Sequence, residues 1–196
     1  IVLPDSVTSI GGWAFSGCTS LSSVVIPDSV TSMDDMAFEA CSSLTGIIIP
    51  DGVTVLHGSL FDGCTALTEF TIPSGGTSIE REVFRGCTGL TSIPIPPPVP
   101  SVDAYAFADC TGLTSFMIPN TVTEMKDGVF SGCANLTIVK LPDGITRIPA
   151  SMFEGCTALT SFVIPDGVTS IGREAFKGCT GLTDVTIPTS ATSMGD

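Results

Sequence analysis

Apolar and polar positions along this chain repeat every 23 residues. Leu21, Val24 and Ile26 give the spacing L-x-x-φ-x-φ, which returns at Leu44/Ile47/Ile49, Leu67/Phe70/Ile72, Leu113/Phe116/Ile118 and Leu159/Phe162/Ile164. Its last part alternates as a half-buried strand does. Pro27 ends the strand because it has no N–H to give to a ladder, and Pro recurs there at 50, 73, 96, 119, 142, 165 and 188. Pro50-Asp51-Gly52 and Pro165-Asp166-Gly167 fit a type I turn with Pro in second place and Gly in fourth. A second short run follows, with inward pairs at Val30/Met33, Val122/Met125, Ile145/Ile148 and Val168/Ile171, and reads as a short strand or extended arm on another side. The third side leads through Gly or charge into Ala-Phe-x-x-Cys, as in Ala175-Phe176-Lys177-Gly178-Cys179. Spacing of three between Phe, Cys and Leu suits one helical or 3₁₀ turn.

The register is never broken. Cysteines stand at 18, 41, 64, 87, 110, 133, 156 and 179, each with Phe three residues before it and Leu three after. A fixed period of this size marks a solenoid whose coils stack on one another. The predicted fold is a β-rich solenoid, a right-handed stack of about eight coils forming one domain over residues 1–196. A parallel sheet lies on one face, and short strands or 3₁₀ turns form the others. Ile1-Val2-Leu3-Pro4 reads as the tail of a strand and Ser193–Asp196 lies within a coil. A solenoid needs end caps, so the chain reads as a fragment of a longer protein without them, and its opening does not read as a signal peptide.

Composition narrows the function classes. No run of 18 apolar residues occurs, so this segment is not expected to insert into a membrane. The net charge of −13 opposes nucleic acid, which needs clustered Lys and Arg for its phosphates. It favours solubility and suits basic or calcium-bridged partners.

Eight cysteines invite a disulfide framework. Stacked parallel strands instead hold equivalent Cβ atoms about 4.8 Å apart and pointing the same way, whereas a disulfide needs about 3.8 Å. C-x-x-L also lacks the C-x-x-C pairs of a zinc site. The expectation is a ladder of buried free thiols filling an apolar slot, with disulfides or metal as the lesser readings. Reduced thiols suit the cytosol or an anaerobic exterior equally.

The full pattern, C-x-x-L-x-x-φ-x-I-P-x-x-V-x-x-I-x-x-x-A-F-x-x, resembles the BspA-like, or Treponema pallidum type, leucine-rich repeat over essentially the whole chain. It departs from ordinary leucine-rich repeats in having Ser29, Gly52 or Gly167 where their Asn ladder would stand. The resemblance implies the α/β class of leucine-rich repeat. It also implies a surface or secreted protein of a bacterium or protist, often an adhesin that contacts host matrix or cell-surface proteins.

Any recognition surface is sought on the outward face of the sheet. Its candidate partner-binding residues are Val25, Ile48, Thr71, Pro94, Met117, Ile138, Lys140 and Val163. The apolar ones fit a contact patch and equally fit the β-branched preference of strands. Coil four places Pro94, Pro96, Pro97, Pro98 and Pro100 in and after its strand, either as a tolerated defect or as a rigid docking segment. Asp5, Asp28, Asp51, Asp143 and Asp166 form a turn column in which calcium is conceivable and turn formation is the plainer reading. Thr8, Thr31, Thr54, Thr77, Thr123, Thr146, Thr169 and Thr192 form another, explained by strand preference rather than ice binding.

Catalysis has little to stand on, and no catalytic, cofactor or metal residue is assigned. The single histidine, His57, has no Ser or Cys partner in a repeating place. Asp34/Asp35, Glu80/Glu82 and Asp103/Asp109 lie on the turn-rich side, where acids are usually solvated. Glu69, Lys140 and Asp184 are the only charges on the outward face. Trp13, Met36 and Tyr105 share one register and read as local packing, and Asn135-Leu136-Thr137 is a lone glycosylation sequon beside a core Leu. The preferred reading is a non-catalytic protein-interaction or adhesion module with a protein partner and no cofactor. The alternatives are a glycan-binding or carbohydrate-active β-helix protein, or an intracellular repeat scaffold.

Overall fold

The computed structural model describes residues 1–75, 78–97 and 99–195; Thr77 and Pro98 therefore lie outside the described residues. The chain winds as a β-solenoid of about eight turns without a helix among those residues. None of its elements is a helix long and apolar enough to cross a membrane. The buried apolar residues form one cluster running the length of the stack.

On the first side, Ser23–Val24 pairs in parallel with Gly46–Ile47, Ser115–Met117 with Ile138–Lys140, and Ser161–Val163 with Asp184–Thr186. Every register is 23 residues, so each inward side chain meets its own equivalent. Residues 91–96 of coil four form no strand, although Ile93 and Ile95 stay buried on either side of exposed Pro94. The apolar alternation survives where proline removes the ladder donor. The longer ladders belong to the second side, where Val55–Leu56, Ser78–Ile79, Ser101–Val102 and Glu124–Met125 form one four-stranded sheet.

The corner between these sides differs from the expected turn by one place. Val30 N–H donates to the Pro27 carbonyl at 3.0 Å and Val53 to Pro50 at 3.0 Å. Proline is thus first in the turn and Gly third. The reason is that the Val must swing into the core, where it is buried, and its N–H closes the turn as it does so.

The third side differs more. Its i→i+3 bonds, such as Ser16 N–H to Trp13 O and Cys18 N–H to Phe15 O, both 3.0 Å, have the span of a 3₁₀ turn. No 3₁₀ helix continues, because left-handed residues flank every Phe that precedes a ladder cysteine, as at Trp13 (φ 58°) and Gly17 (φ 70°). That alternation turns successive N–H groups in different directions. One set closes turns within the coil, and the other reaches the next coil. Phe84 donates to Ala106 O at 2.9 Å, with Glu82 to Ala104 O and Gly86 to Ala108 O beside it. Three such bonds cross each junction from coil one to coil eight, which makes this side the unbroken backbone spine.

Around that spine the Phe rings stack. Neighbouring ladder rings lie 5.1–5.9 Å apart within 19° of parallel, from Phe15–Phe38 to Phe153–Phe176. Phe70, Phe116 and Phe162 wedge edge-on or tilted between pairs of them at 4.8–5.3 Å. Such contacts add about 0.5–1.5 kcal/mol each beyond simple burial.

All eight cysteines are free, and seven are buried. Cys18, in the first of the eight coils, is exposed, contrary to the expectation of a wholly buried ladder. The buried thiols do more than fill space. Cys110 Sγ donates to Phe84 O at 3.0 Å and Cys133 Sγ to Phe107 O at 3.1 Å, and the same bond recurs from Cys41 to Cys179. Each of those Phe carbonyls also accepts the N–H of the cysteine in its own coil. Burial pushes the Cys41 thiol up to about 11 and Cys64 up to about 12, with a neighbouring cysteine adding to the shift. Cys87, Cys110 and Cys133 rise well above the ordinary thiol range for the same reason. A protonated, covered thiol is a poor nucleophile.

The threonines also have a structural use. Thr68 Oγ1 donates to Thr45 O at 3.3 Å and Thr169 Oγ1 to Thr146 O at 3.1 Å, each one coil back. Ser29 Oγ, standing where the Asn ladder would be, reaches Val7 O at 2.7 Å.

Two outcomes follow from this packing. Alkylation of the folded 196-residue chain should modify Cys18 alone, and alkylation in denaturant all eight thiols, read by intact mass. At Ala40 (φ 55°) a left-handed conformation is imposed on a residue with a Cβ, where equivalent coils use Gly63 and Gly86. Relief of that strain is worth about 1–2 kcal/mol and added unfolded-state freedom offsets roughly 0.4–1. Ala40→Gly should therefore raise stability by roughly 0.5–1 kcal/mol in urea unfolding, whereas a loss would show that the strain is absent.

Candidate functional site

Because strand side chains alternate, the inward set on the first side fixes an outward set. Phe116 is buried between exposed Ser115 and Met117, and Phe162 between exposed Ser161 and Val163. All eight residues singled out on this face, Val25, Ile48, Thr71, Pro94, Met117, Ile138, Lys140 and Val163, are exposed. The apolar ones are far more exposed than folding requires, with Ile48 at 86% and Val163 at 81%.

The 23-residue register brings these side chains into two groups. Val2 bridges Val25, and Ile48 stands one coil on from Val25. Beside Ile48 lies a recess of about 790 Å³, lined in part by Thr71, Ile72, Pro73 and Pro96. In the second group Met117 lies opposite Lys140, Ile138 opposite Ser115, and Val163 opposite Thr186. Coil four, without its strand, separates the groups. Lys140 has no ion pair among the described residues, unlike Lys126 with Glu124 or Lys177 with Glu154.

The other sequence candidates are scattered. Asp5, Asp28, Asp51, Asp143 and Asp166 are exposed turn residues. Asp143 exchanges hydrogen bonds with Asn120 one coil back. Trp13, Met36 and Tyr105 share the left-handed place before each Phe. Tyr105 covers Gly128, where a Cβ would collide with its ring, and Arg81 sits over the ring at 5.7 Å from its centre. Asn135 Nδ2 donates to Thr111 O at 2.9 Å.

One grouping escaped the sequence reading. His57 Nδ1 lies 3.4 Å from Glu80 Oε2, and Asp35 stands beside both, each offering an atom within 4.8 Å of the others. The signal was present: His57 and Glu80 are one period apart, each directly after a strand of the second side.

Comparison with known proteins places this geometry. The BspA type leucine rich repeat region matches residues 1–112 and 77–196, in six copies. The chain belongs to the BspA-type leucine-rich repeat family. Repeats of this family are non-enzymatic protein-interaction scaffolds. A T. pallidum leucine-rich repeat protein is similar in structure, with a TM-score of 0.74 and 28% identity over 94% of this chain and 78% of that one. A leucine-rich repeat protein from Bacteroides ovatus has a TM-score of 0.66 and 28% identity, covering 100% of this chain and 68% of its own. A leucine rich cell surface protein from Faecalibacterium prausnitzii has a TM-score of 0.53 and 26% identity, covering 99% and 78%. No curated protein matches.

Exposure and burial predict opposite responses to substitution. Ile48→Lys should leave stability within about 0.5 kcal/mol. Phe107→Ala should lower it by about 3–5 kcal/mol, since rings above and below hold the void open. Equal losses in urea unfolding would mean that Ile48 is packed.

Proposed function

We propose that this chain is the interaction segment of a surface or secreted adhesion protein and engages a protein partner through the outward face of its first side. The observation carrying this reading is the set of exposed apolar side chains Val25, Ile48, Met117, Ile138 and Val163 on one side of the solenoid. The fold does not require them, because the core is filled from the other face of the same strands and the continuous backbone spine lies elsewhere. Apolar patches of this kind favour protein partners. Lys140, without an ion pair among the described residues of a chain of net charge −13, adds a point for an acidic group of the partner. The family role as a scaffold and a structural neighbour described as a cell surface protein support the surface setting.

The test is binding of the 196-residue chain to immobilised collagen, fibronectin, laminin and fibrinogen, with a polysaccharide array beside it. Saturable binding to a matrix protein is expected, weakened about tenfold or more when Ile48 and Val163 are both changed to Lys. Undiminished binding by that variant, or binding and turnover of polysaccharide alone, would overturn the proposal.

A further inference from the structure

The charge distribution along the solenoid is uneven. Residues 1–80 contain nine acidic residues and no Lys or Arg; all seven basic residues come at 81 or later. Those later bases mostly face acids of their own neighbourhood, as Arg81 and Arg85 face Glu82 and Arg147 faces Asp127. Within the basic-free part, the carboxylates of Asp35 and Glu80 flank His57, the single imidazole of the chain. Among the described residues no Lys or Arg pairs with either carboxylate, and Glu80 meets the His57 ring at 3.4 Å.

The fold holds these three side chains on rigid backbone. Val55–Leu56 and Ser78–Ile79 pair in register, so the next residues, His57 and Glu80, are set one above the other at the coil spacing. Asp35 comes from the coil on the other side of His57. Its Oδ1 accepts the Gly58 N–H at 2.8 Å, and a Cβ at Gly58 would press on that oxygen at 3.3 Å. A carboxylate oriented by a backbone N–H resembles the outer-shell support of metal ligands. His57 and Glu80 are each a little over one-third exposed, which leaves a path for an ion and for water.

The geometry points to a site for a divalent transition-metal cation of the zinc class, with Asp35, His57 and Glu80 as its three protein ligands. Bonds of about 2.0–2.2 Å in a tetrahedron place ligand atoms roughly 3.4 Å apart. The His57–Glu80 pair stands at 3.4 Å, and a carboxylate oxygen of Asp35 lies within 4.8 Å of both. Water takes the fourth position. One imidazole nitrogen with two carboxylates favours zinc over calcium, which demands about 6–8 oxygen ligands. Bound metal would tie three successive coils together where no Lys or Arg among the described residues pairs with Asp35 or Glu80.

The experiment is a zinc titration of the whole chain by calorimetry, with Cys18→Ser in every protein to remove the one exposed thiol. One zinc per chain is expected, together with a melting temperature that rises with zinc. Binding should be about 100-fold weaker or worse in His57→Gln and Glu80→Gln, with circular dichroism unchanged. Asp35→Asn, which keeps an acceptor for Gly58 N–H, should weaken it as well. Calcium and magnesium in excess should not displace the zinc. Undiminished binding in His57→Gln, displacement by calcium, or no saturable binding to the Cys18→Ser chain would each overturn the assignment.

Discussion

Everything in this structure depends on one backbone arrangement, the three hydrogen bonds that cross each junction on the third side. They exist because residues on both sides of each ladder Phe are left-handed, which turns alternate N–H groups out of the coil. The cost falls on non-glycine positions such as Trp13, Ser59 and Glu174, at about 1–2 kcal/mol each. The stack recovers it cooperatively, since each coil between the first and the last both gives and receives these bonds. The Phe between the two left-handed residues then points inward, and its ring meets the next ring at 5.1–5.9 Å. Its carbonyl is left to accept one N–H and one thiol. Phe and Cys are thus two ends of one connection.

This arrangement frees the first side. A sheet that carried the stack alone could not lose coil four to prolines, yet residues 91–96 are without a strand while Ile93 and Ile95 remain buried. Outward residues on that side are consequently unconstrained by the spine. Large apolar side chains such as Ile48 and Val163 can stand in solvent there without effect on the core. The proposed contact face and the strict repeat are therefore complementary: regular positions build the stack, and irregular ones differentiate its surface. Asp35, His57 and Glu80 follow the same division, because an invariant backbone register brings variable side chains together.

Much of the fold was legible in the sequence. Period, inward positions, strand ends and the absence of disulfides follow from Phe, Cys, Leu and Pro recurring without a gap, since stacked identical coils force identical neighbours. The family follows from the same pattern. Which outward residues are exposed was also readable, because alternation on a half-buried strand leaves no choice. The corner turn was misplaced by one residue, since Pro-Asp-Gly is compatible with more than one turn register and only the burial of Val30 or Val53 selects among them.

What the sequence by itself determined is the repeat, and with it the core. Only the tertiary structure decided how the coils are joined. Left-handed Trp13, Met36 or Tyr105 carry no compositional sign of their conformation, so the chained turns and their bonds could not be inferred from spacing. The thiol bonds to Phe carbonyls, 26 residues apart, and the approach of Asp35 to His57 likewise appear only when neighbouring coils are placed. The physical reason is common to all three: they are contacts between coils, set by how one coil lies on the next.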